Sequence, residues 1–453
     1  MTTRFQQRLI ALITETRPHS AAELPFVRPA FEDTLAVAFA GWGEPVTRRV
    51  ASQYPELAGL FPDGDGAVPG EPAALVYGTA AHALDYDDVH QASNTHPSAP
   101  IVAALTAAVR AEPALSGRLT TGFAVGLAAN VGLGRVLGFA HYDKGWHATS
   151  TIGPLAAAAA LAYLYDLDGQ SAAHALALAA AQAGGLQRNF GAMAKPLQAG
   201  LAAAAGLRAA RLARAGVSAD ADVFGPKGYF DLYRGEAVEV EPDAIEFDLY
   251  GGGIAVKLYP CCYATHRPIA VALQARELLQ RQRVSLDALA QIDVIAPAGA
   301  YLPLRVHDPR VGSEGKFCGA YTVACALVDG SVGLSHFEDD DDAVHRPDVR
   351  SLLGRIRLVE REGKADGLIR RTHPLELVAR DAAGREVLRT EVLPFPGSPD
   401  SPPTPGQIEA KVRDCLAHYE RRTGRRCSYA RFQSVVDALV LPSRPMARAA
   451  AGD

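Results

Sequence analysis

AMAKPLQAGLAAAAGLRAARLARAGV, residues 192–217, decides the fold of this 453-residue chain. Alanine dominates it, and apolar residues recur at three- and four-residue spacing, so it reads as a buried helix. The same texture runs from about residue 20 to 215. TLAVAFAGW (34–42), ALVYGTAAHALDY (74–86), IVAALTAAVRA (101–111) and HALALAAAQAGGL (174–186) repeat it. Long β-branched runs are scarce there, and Gly and Pro mark the turns. Small side chains let helix backbones approach closely, so a helical bundle follows.

From about residue 270 the character changes. AVALQARELLQRQ still reads as a helix, but QIDVIAPAGAYL, RIRLVERE and PLELVARDAAGREVLRTEVL alternate apolar and polar residues as strands do. ARDAAGREV reads as a hairpin turn, and EGKFCGAYTVACALVDG between the strands as a buried helix. PFPGSPDSPPTPG (394–406) is a Pro-rich linker. QIEAKVRDCLAHYERR beyond it reads as a final helix returning to the first domain, and EDDDDAVHRPDV as a solvated acidic turn. The expectation is a multidomain α and α+β protein. A large all-α helical domain (1–268 and 400–453) carries a smaller α+β lid domain (269–399).

Composition narrows the function. Hydrophobic residues make up 48 % and charged residues 21 %, with a net charge of −5, as in ordinary globular proteins. No basic field exists to hold nucleic acid or an anionic membrane. The N-terminal MTTRFQQRLIALITETRPHS is amphipathic, not a signal peptide, and PLAAAAALAYLY is too short to span a bilayer. Cys261, Cys262, Cys318, Cys325, Cys415 and Cys427 form no CxxC pair. Cys318 and Cys325, seven apart, read as core residues on one helix face. A reducing cytoplasm is the simple reading.

Three short blocks place acid–base residues ahead of apolar helices: LDYDDVHQASNTHPSAP (84–100), KGWHATSTIGP (144–154) and AMAKPLQAG (192–200). Helix N-termini favour anions. His96 precedes Pro97 in an extended turn; the alternative is a histidine that satisfies its own loop. His147 lies before the N-cap candidates Thr149 to Thr151, where the helix dipole lowers its pKa; the alternative is a plain cap. Lys195 sits in an apolar segment, where lysine either snorkels outward or lines a polar pocket. Lys257 follows the hinge Gly251 to Gly253. Asp85, Asp87, Asp88, His90 and His96 together resemble a metal-ligand set, but no HExxH-type pair accompanies them. Tyr321 and His266 both stand at helix starts, and a core tyrosine or a structural histidine is the plain reading of each. Arg188 and Arg267 could grip a carboxylate bidentately.

The markers DYDD, THPS, GWHATSTIG, AKPLQAGLAAAAG, KGYF, KLYPCCYATH and FCGAYTVACALVDG, in this order, resemble the MmgE/PrpD family. That family includes 2-methylcitrate dehydratases, cis-aconitate decarboxylases and iminodisuccinate epimerases. The resemblance implies the two-domain architecture above, a homodimer, a small carboxylic-acid substrate, and a reaction without metal or organic cofactor. It implies catalytic roles for His96, His147, Lys195 and Asp85. Asp85 would orient its neighbours, Lys257 would hold an anion, and Tyr321 would lie over the substrate; apart from the resemblance, His266 and Arg188 are further candidate substrate contacts. Three departures from the decarboxylase pattern stand out. Val89 replaces a threonine, Cys262 a histidine, and one extra residue separates DYDD from THPS. These argue against cis-aconitate decarboxylation itself. The chemistry that fits is a carbanion next to a carboxylate, stabilised by lysines, with His96 and His147 dividing acid and base roles. A 2-methylcitrate dehydratase-like lyase is the first expectation. An epimerase or decarboxylase of a related polycarboxylate, or a non-catalytic carboxylate-binding paralogue, is the alternative; a metal-dependent hydrolase is more remote.

Overall fold

The computed structural model describes residues 3–57, 62, 70–234, 240–251, 253–339, 342–363 and 373–441. It shows the expected division into a large helical domain and a smaller α+β domain. In chain order the principal helices of the first are α1 (Arg4–Glu15), α2 (Val27–Trp42), α3 (Gly70–His82), α4 (Ser98–Ala111), α5 (Leu119–Asp143), α6 (Ala148–Leu164), α7 (Gly169–Ala180) and α8 (Ala194–Arg214). The α+β domain holds α9 (His266–Gln282), β1 (Gln291–Ala296), α10 (Gly319–Asp329), β2 (Ile356–Glu360), β3 (Leu375–Arg380) and β4 (Glu386–Val392). Then α11 (Pro405–Thr423) and α12 (Tyr429–Val440) follow.

The alanine-rich reading of 192–217 is borne out as α8, which packs most closely on α3. A Cβ added at Gly78 would stand 2.8 Å from Gly200 Cα, and one at Gly200 would stand 2.3 Å from the Leu75 carbonyl oxygen. Only glycine at both positions permits this approach. The two helices run antiparallel, so the chain leaving the end of α3 meets the start of α8. That crossing places the DYDD block beside the AKP block. The long helix α5 is apolar enough to cross a bilayer by length and composition, yet 72 % of its apolar window is buried inside the protein. It is a core helix, bent at Gly138 where φ is +58°.

The sheet has the order β2-β1-β3-β4, with β1 and β2 parallel and the other pairs antiparallel. The predicted hairpin joins β3 to β4. Asp381 Oδ1 accepts from the N–H groups of Ala383 and Arg385, and Gly384 supplies the left-handed turn residue. Ile292, Val294, Leu377, Ala379 and Leu388 bury against Ile269, Ala272 and Leu279 of α9 and Val323 and Ala324 of α10. Helix α11 opens with a Thr404–Gln407 capping box and buries Val412, Cys415, Leu416 and Tyr419 in the helical core.

Two expectations need correction. Helix α11 is not the last, because α12 follows and sets Phe432 edge-on against Phe39 at 5.5 Å. The acidic turn is not merely solvated. Glu338 pairs with His418 and Arg421, Asp339 accepts from the Ser313 N–H, and Val344 and Val349 are buried; Asp340 and Asp341 lie outside the described residues.

Candidate active site

Between the two domains lies a cavity of about 360 Å³. Its floor is Asp85, whose Oδ1 accepts from Lys195 Nζ at 2.6 Å and from Lys257 Nζ at 3.0 Å. The α3–α8 crossing delivers Lys195 to Asp85. Lys257 arrives through a bridge between Val89 and Ala255, whose N–H···O contacts are 2.8 and 2.7 Å. Asp85 itself is held at φ +54°, a left-handed conformation that Asp tolerates at a cost of about 1–2 kcal/mol. All three side chains are buried. Burial works to raise the Asp85 pKa, but Lys195 and Lys257 win and hold the carboxyl well below its ordinary range. Burial likewise works to lower Lys257, and Asp85 and Asp87 outweigh it, so the ammonium persists. Asp85 thus hydrogen-bonds both buried cations, and with Arg267 and Arg305 against Asp85 and Asp143 the cavity lining holds more cationic than anionic side chains. Desolvated charge of this kind costs several kcal/mol unless compensated. Asp87, also buried, offsets part of it.

His96 and His147 line the same cavity. His96 Nδ1 lies 3.6 Å from Asp87 Oδ1 and Nε2 4.0 Å from Asp85 Oδ1. Burial pushes its pKa down to about 3, against the pull of Asp87. His147 is the N-cap residue of α6. Its pKa lies well below the ordinary value, chiefly through burial, then through His82 and Lys195; burial, rather than the helix dipole expected from sequence, leads. His147 Nδ1 lies 2.7 Å from Gln198 Oε1, and the Gln198 amide nitrogen donates to the Leu186 carbonyl at 3.4 Å. That orientation makes Gln198 Oε1 an acceptor, so His147 carries its proton on Nδ1 and Nε2 is a bare lone pair.

The plain reading of Asp87 and Asp88 is a helix cap or a partner for arginine; Asp88 does the first, and Asp87 does neither. Asp87 pairs with His82 Nδ1 at 2.8 Å, both fully buried. Asp88 accepts from Ser98 at the start of α4, and burial raises its pKa to about 8. His82, Asp85, Asp87 and His96 bring ligand-type atoms within 4.8 Å of one another, a metal-like set. It fits a cation poorly, because two ammonium groups already lie within 3.0 Å of Asp85 Oδ1. His90 is elsewhere, bonded to Ser93.

The walls contain residues that sequence reading left aside. The bend at Gly138 turns Phe139 and Tyr142 inward, and Tyr301 and Arg305 come from the loop after β1. Phe190 and Phe317 flank Lys195, with ring centroids 5.2 and 5.4 Å from Nζ. Arg267 also lines the cavity, donating to the His373 carbonyl at 2.9 Å. Val89 and Cys262, two of the three departures noted above, are both wall residues.

Three candidates are not in the wall. Tyr321 packs in the α+β core and donates to the His336 carbonyl at 2.6 Å; Tyr301 lines the cavity in its place. His266 is fully buried between Tyr259 and Tyr263, with ring centroids 5.1 and 4.8 Å away. Arg188 is exposed on a short turn, while its neighbours Gln187 and Phe190 line the cavity. Missed altogether were His82, three residues before Asp85, and Gln198, three after Lys195 and so one helical turn along the same face.

Comparison with known proteins bears on this geometry. The MmgE/PrpD N-terminal domain matches residues 8–240, and the MmgE/PrpD C-terminal domain matches 259–430. The chain belongs to the MmgE/PrpD family. Among its MmgE/PrpD relatives, the human cis-aconitate decarboxylase is 31 % identical over 72 % of this chain and 70 % of its own length. The mouse cis-aconitate decarboxylase is 30 % identical over 72 % and 69 %. That of Aspergillus terreus is 30 % identical over 63 % and 62 %. These relatives are named as decarboxylases, which favours the decarboxylase alternative over the dehydratase expected first.

Proposed function

We propose that this protein is a lyase that decarboxylates a small unsaturated polycarboxylate of the cis-aconitate type. The observation that carries the reading is the Lys195–Asp85–Lys257 cluster, two buried ammonium groups sharing one carboxylate at the floor of an interdomain cavity. The names of the relatives supply the substrate class. In the proposed step the C–C bond to one carboxylate breaks and CO₂ leaves. The electron pair moves into a new C=C bond, and the charge passes through the allylic system to the carbon α to a remaining carboxylate. Lys195 and Lys257 stabilise that developing charge.

His147 then protonates the carbanion from Nε2. Burial holds it in the base form, and a bound polyanion raises its pKa so that it takes up a proton. Gln198 keeps Nδ1 protonated throughout, leaving Nε2 as the exchanging atom. Phe190, Phe317 and Tyr301 exclude water around the charge.

Dehydration of a hydroxylated polycarboxylate is the second reading, favoured by His96. It stands beside Asp85 and Asp87; in this reading a bound polyanion adds to their charge and draws a proton onto His96, which passes to the departing hydroxide while neutral His147 takes the α-proton. Proton NMR of purified protein with cis-aconitate, 2-methylcitrate, citrate and iminodisuccinate, alongside CO₂ release, separates the readings. Loss of CO₂ from cis-aconitate, abolished by Lys195→Met, is expected. Olefin formation from a hydroxylated acid without CO₂ would transfer the assignment to dehydratase.

A further inference from the structure

Three consecutive main-chain carbonyls around Asp85 each accept from a different buried lysine. Lys316 Nζ donates to the Leu84 carbonyl at 3.0 Å, Lys257 Nζ to that of Asp85 at 2.8 Å, and Lys411 Nζ to that of Tyr86 at 2.9 Å. The three lysines come from separate parts of the fold. Lys411 belongs to α11 and is itself anchored on Asp33 Oδ1 at 2.5 Å and on the Lys257 carbonyl at 2.8 Å. Lys316 belongs to the α+β domain, in the segment leading into α10.

Lys316 is 7 % exposed, and Glu44, Asp85 and Asp339 are its nearby counter-charges, yet its hydrogen bond goes to a main-chain carbonyl. Burial accordingly works to lower its pKa. Among the described residues Lys316 Nζ donates to the Leu84 carbonyl and to none of those carboxylates, so its place is set by the main chain beside Asp85. Its acceptor is the residue before Asp85, the one cavity residue of the cluster in a left-handed conformation. The next residue, Phe317, lies under Lys195 and lines the cavity. The dipeptide Lys316–Phe317 therefore reaches across the domain boundary to both partners of the Asp85–Lys195 pair.

We propose that Lys316 is a positioning residue: by holding the Leu84 carbonyl it fixes the strained Asp85 backbone, and it makes assembly of the Lys195–Asp85–Lys257 cluster depend on the α+β domain being docked. This rests on Asp85 belonging to the active site, and not on which polycarboxylate is turned over. Lys316→Met keeps the side-chain length and removes the donor; Lys316→Arg keeps a donor.

Two readouts test it in the full-length protein. The first needs no substrate: ¹⁵N-labelled imidazole resonances in the ligand-free state. Lys316→Met is expected to move the His96 resonance, because Asp85 shifts beneath it, while those of His174 and His345 stay in place; Lys316→Arg returns His96 toward its wild-type position. An unchanged His96 resonance in folded Lys316→Met overturns the proposal. The second is a cycle with Asp85→Asn. Lys316→Met should lower kcat about 10- to 100-fold alone and less than about 3-fold in the Asp85→Asn background; equal losses in both backgrounds overturn it. If the wild type turns over none of the panel acids, the proposed reaction fails, and the imidazole readout still decides the role of Lys316.

Discussion

Gln198 Oε1 stands 2.7 Å from His147 Nδ1, both side chains buried, and this one contact decides which nitrogen of the imidazole can exchange a proton with a ligand. Gln198→Leu should remove the tautomer control and lower kcat about 10- to 100-fold with a smaller change in KM. Gln198→Glu places a carboxylate on Nδ1, which favours imidazolium and raises the His147 pKa. Activity that requires protonated His147 falls as pH rises through that pKa. The basic limb of the kcat profile should therefore move to higher pH in Gln198→Glu. An unshifted limb would show that His147 is not the titrating acid.

Asp85→Asn should cost more than a lost hydrogen bond. Lys195 and Lys257 would remain as two buried ammonium groups with their shared carboxylate neutralised. Breaking a buried pair in this way costs about 3–5 kcal/mol, measurable as a fall in the urea midpoint at pH 7. The same change should lower kcat about 100- to 1,000-fold and leave a measurable residual rate. Retained stability would mean that solvent already screens the cluster.

Arg305 lines the cavity from its exposed rim, and no ion pair with it occurs among the described residues. It feels the Tyr142 hydroxyl, which also feels Asp85 deeper in the cavity. A substrate carboxylate remote from the reacting carbon would find its cation here. Arg305→Ala should raise KM for a tricarboxylate about tenfold, some 1.4 kcal/mol, with kcat within about threefold. The effect should shrink for dicarboxylates. Equal effects on both would place Arg305 outside the substrate contacts.

Stability should pass through a maximum near pH 6.5. Burial depresses His96 to about 3 and His141 to about 4, and lowers His147 and His266 well below their ordinary value. In the unfolded chain these imidazoles take up protons near pH 6.5. Between about pH 6.5 and 4 the unfolded state therefore binds more protons, and stability falls as pH falls. Asp88, pushed up to about 8, has the opposite sign. Its native carboxyl keeps a proton that the unfolded chain releases near pH 4, so stability declines again as pH rises toward 8. Urea midpoints at pH 4.5, 6.5 and 8.5 should be highest at 6.5. Equal midpoints at 4.5 and 6.5 would contradict the buried, neutral histidines.

Local sequence carried the fold well wherever an element declared itself by its own period. The α8 alanine run, the β3–β4 hairpin and the α10 helix are examples. Asp85, His96, His147 and Lys195 were legible as polar residues in short blocks beside apolar helices, and Lys257 only through its glycine hinge and the family resemblance; the fold brings all five to one cavity. Local sequence failed where direction depends on packing. Tyr321 and Tyr301 both follow small residues, but Tyr321 begins a helix turned into the α+β core, and Tyr301 sits in a loop facing the cavity. His266 and Arg188 have the right neighbours and the wrong orientation. Gln198 had a usable signal, its three-residue spacing from Lys195. Lys316 and Lys411 had none, since their acceptors are main-chain carbonyls 232 and 325 residues away.

The most direct measurement is turnover of cis-aconitate in D₂O, read by proton NMR and mass spectrometry of the product. Protonation of a carbanion by His147 predicts one deuterium per product molecule, at the carbon α to a retained carboxylate and on one face only. His147→Gln should lose that turnover while still binding the acid. Product formed without solvent deuterium, or turnover that survives in His147→Gln, would contradict the account.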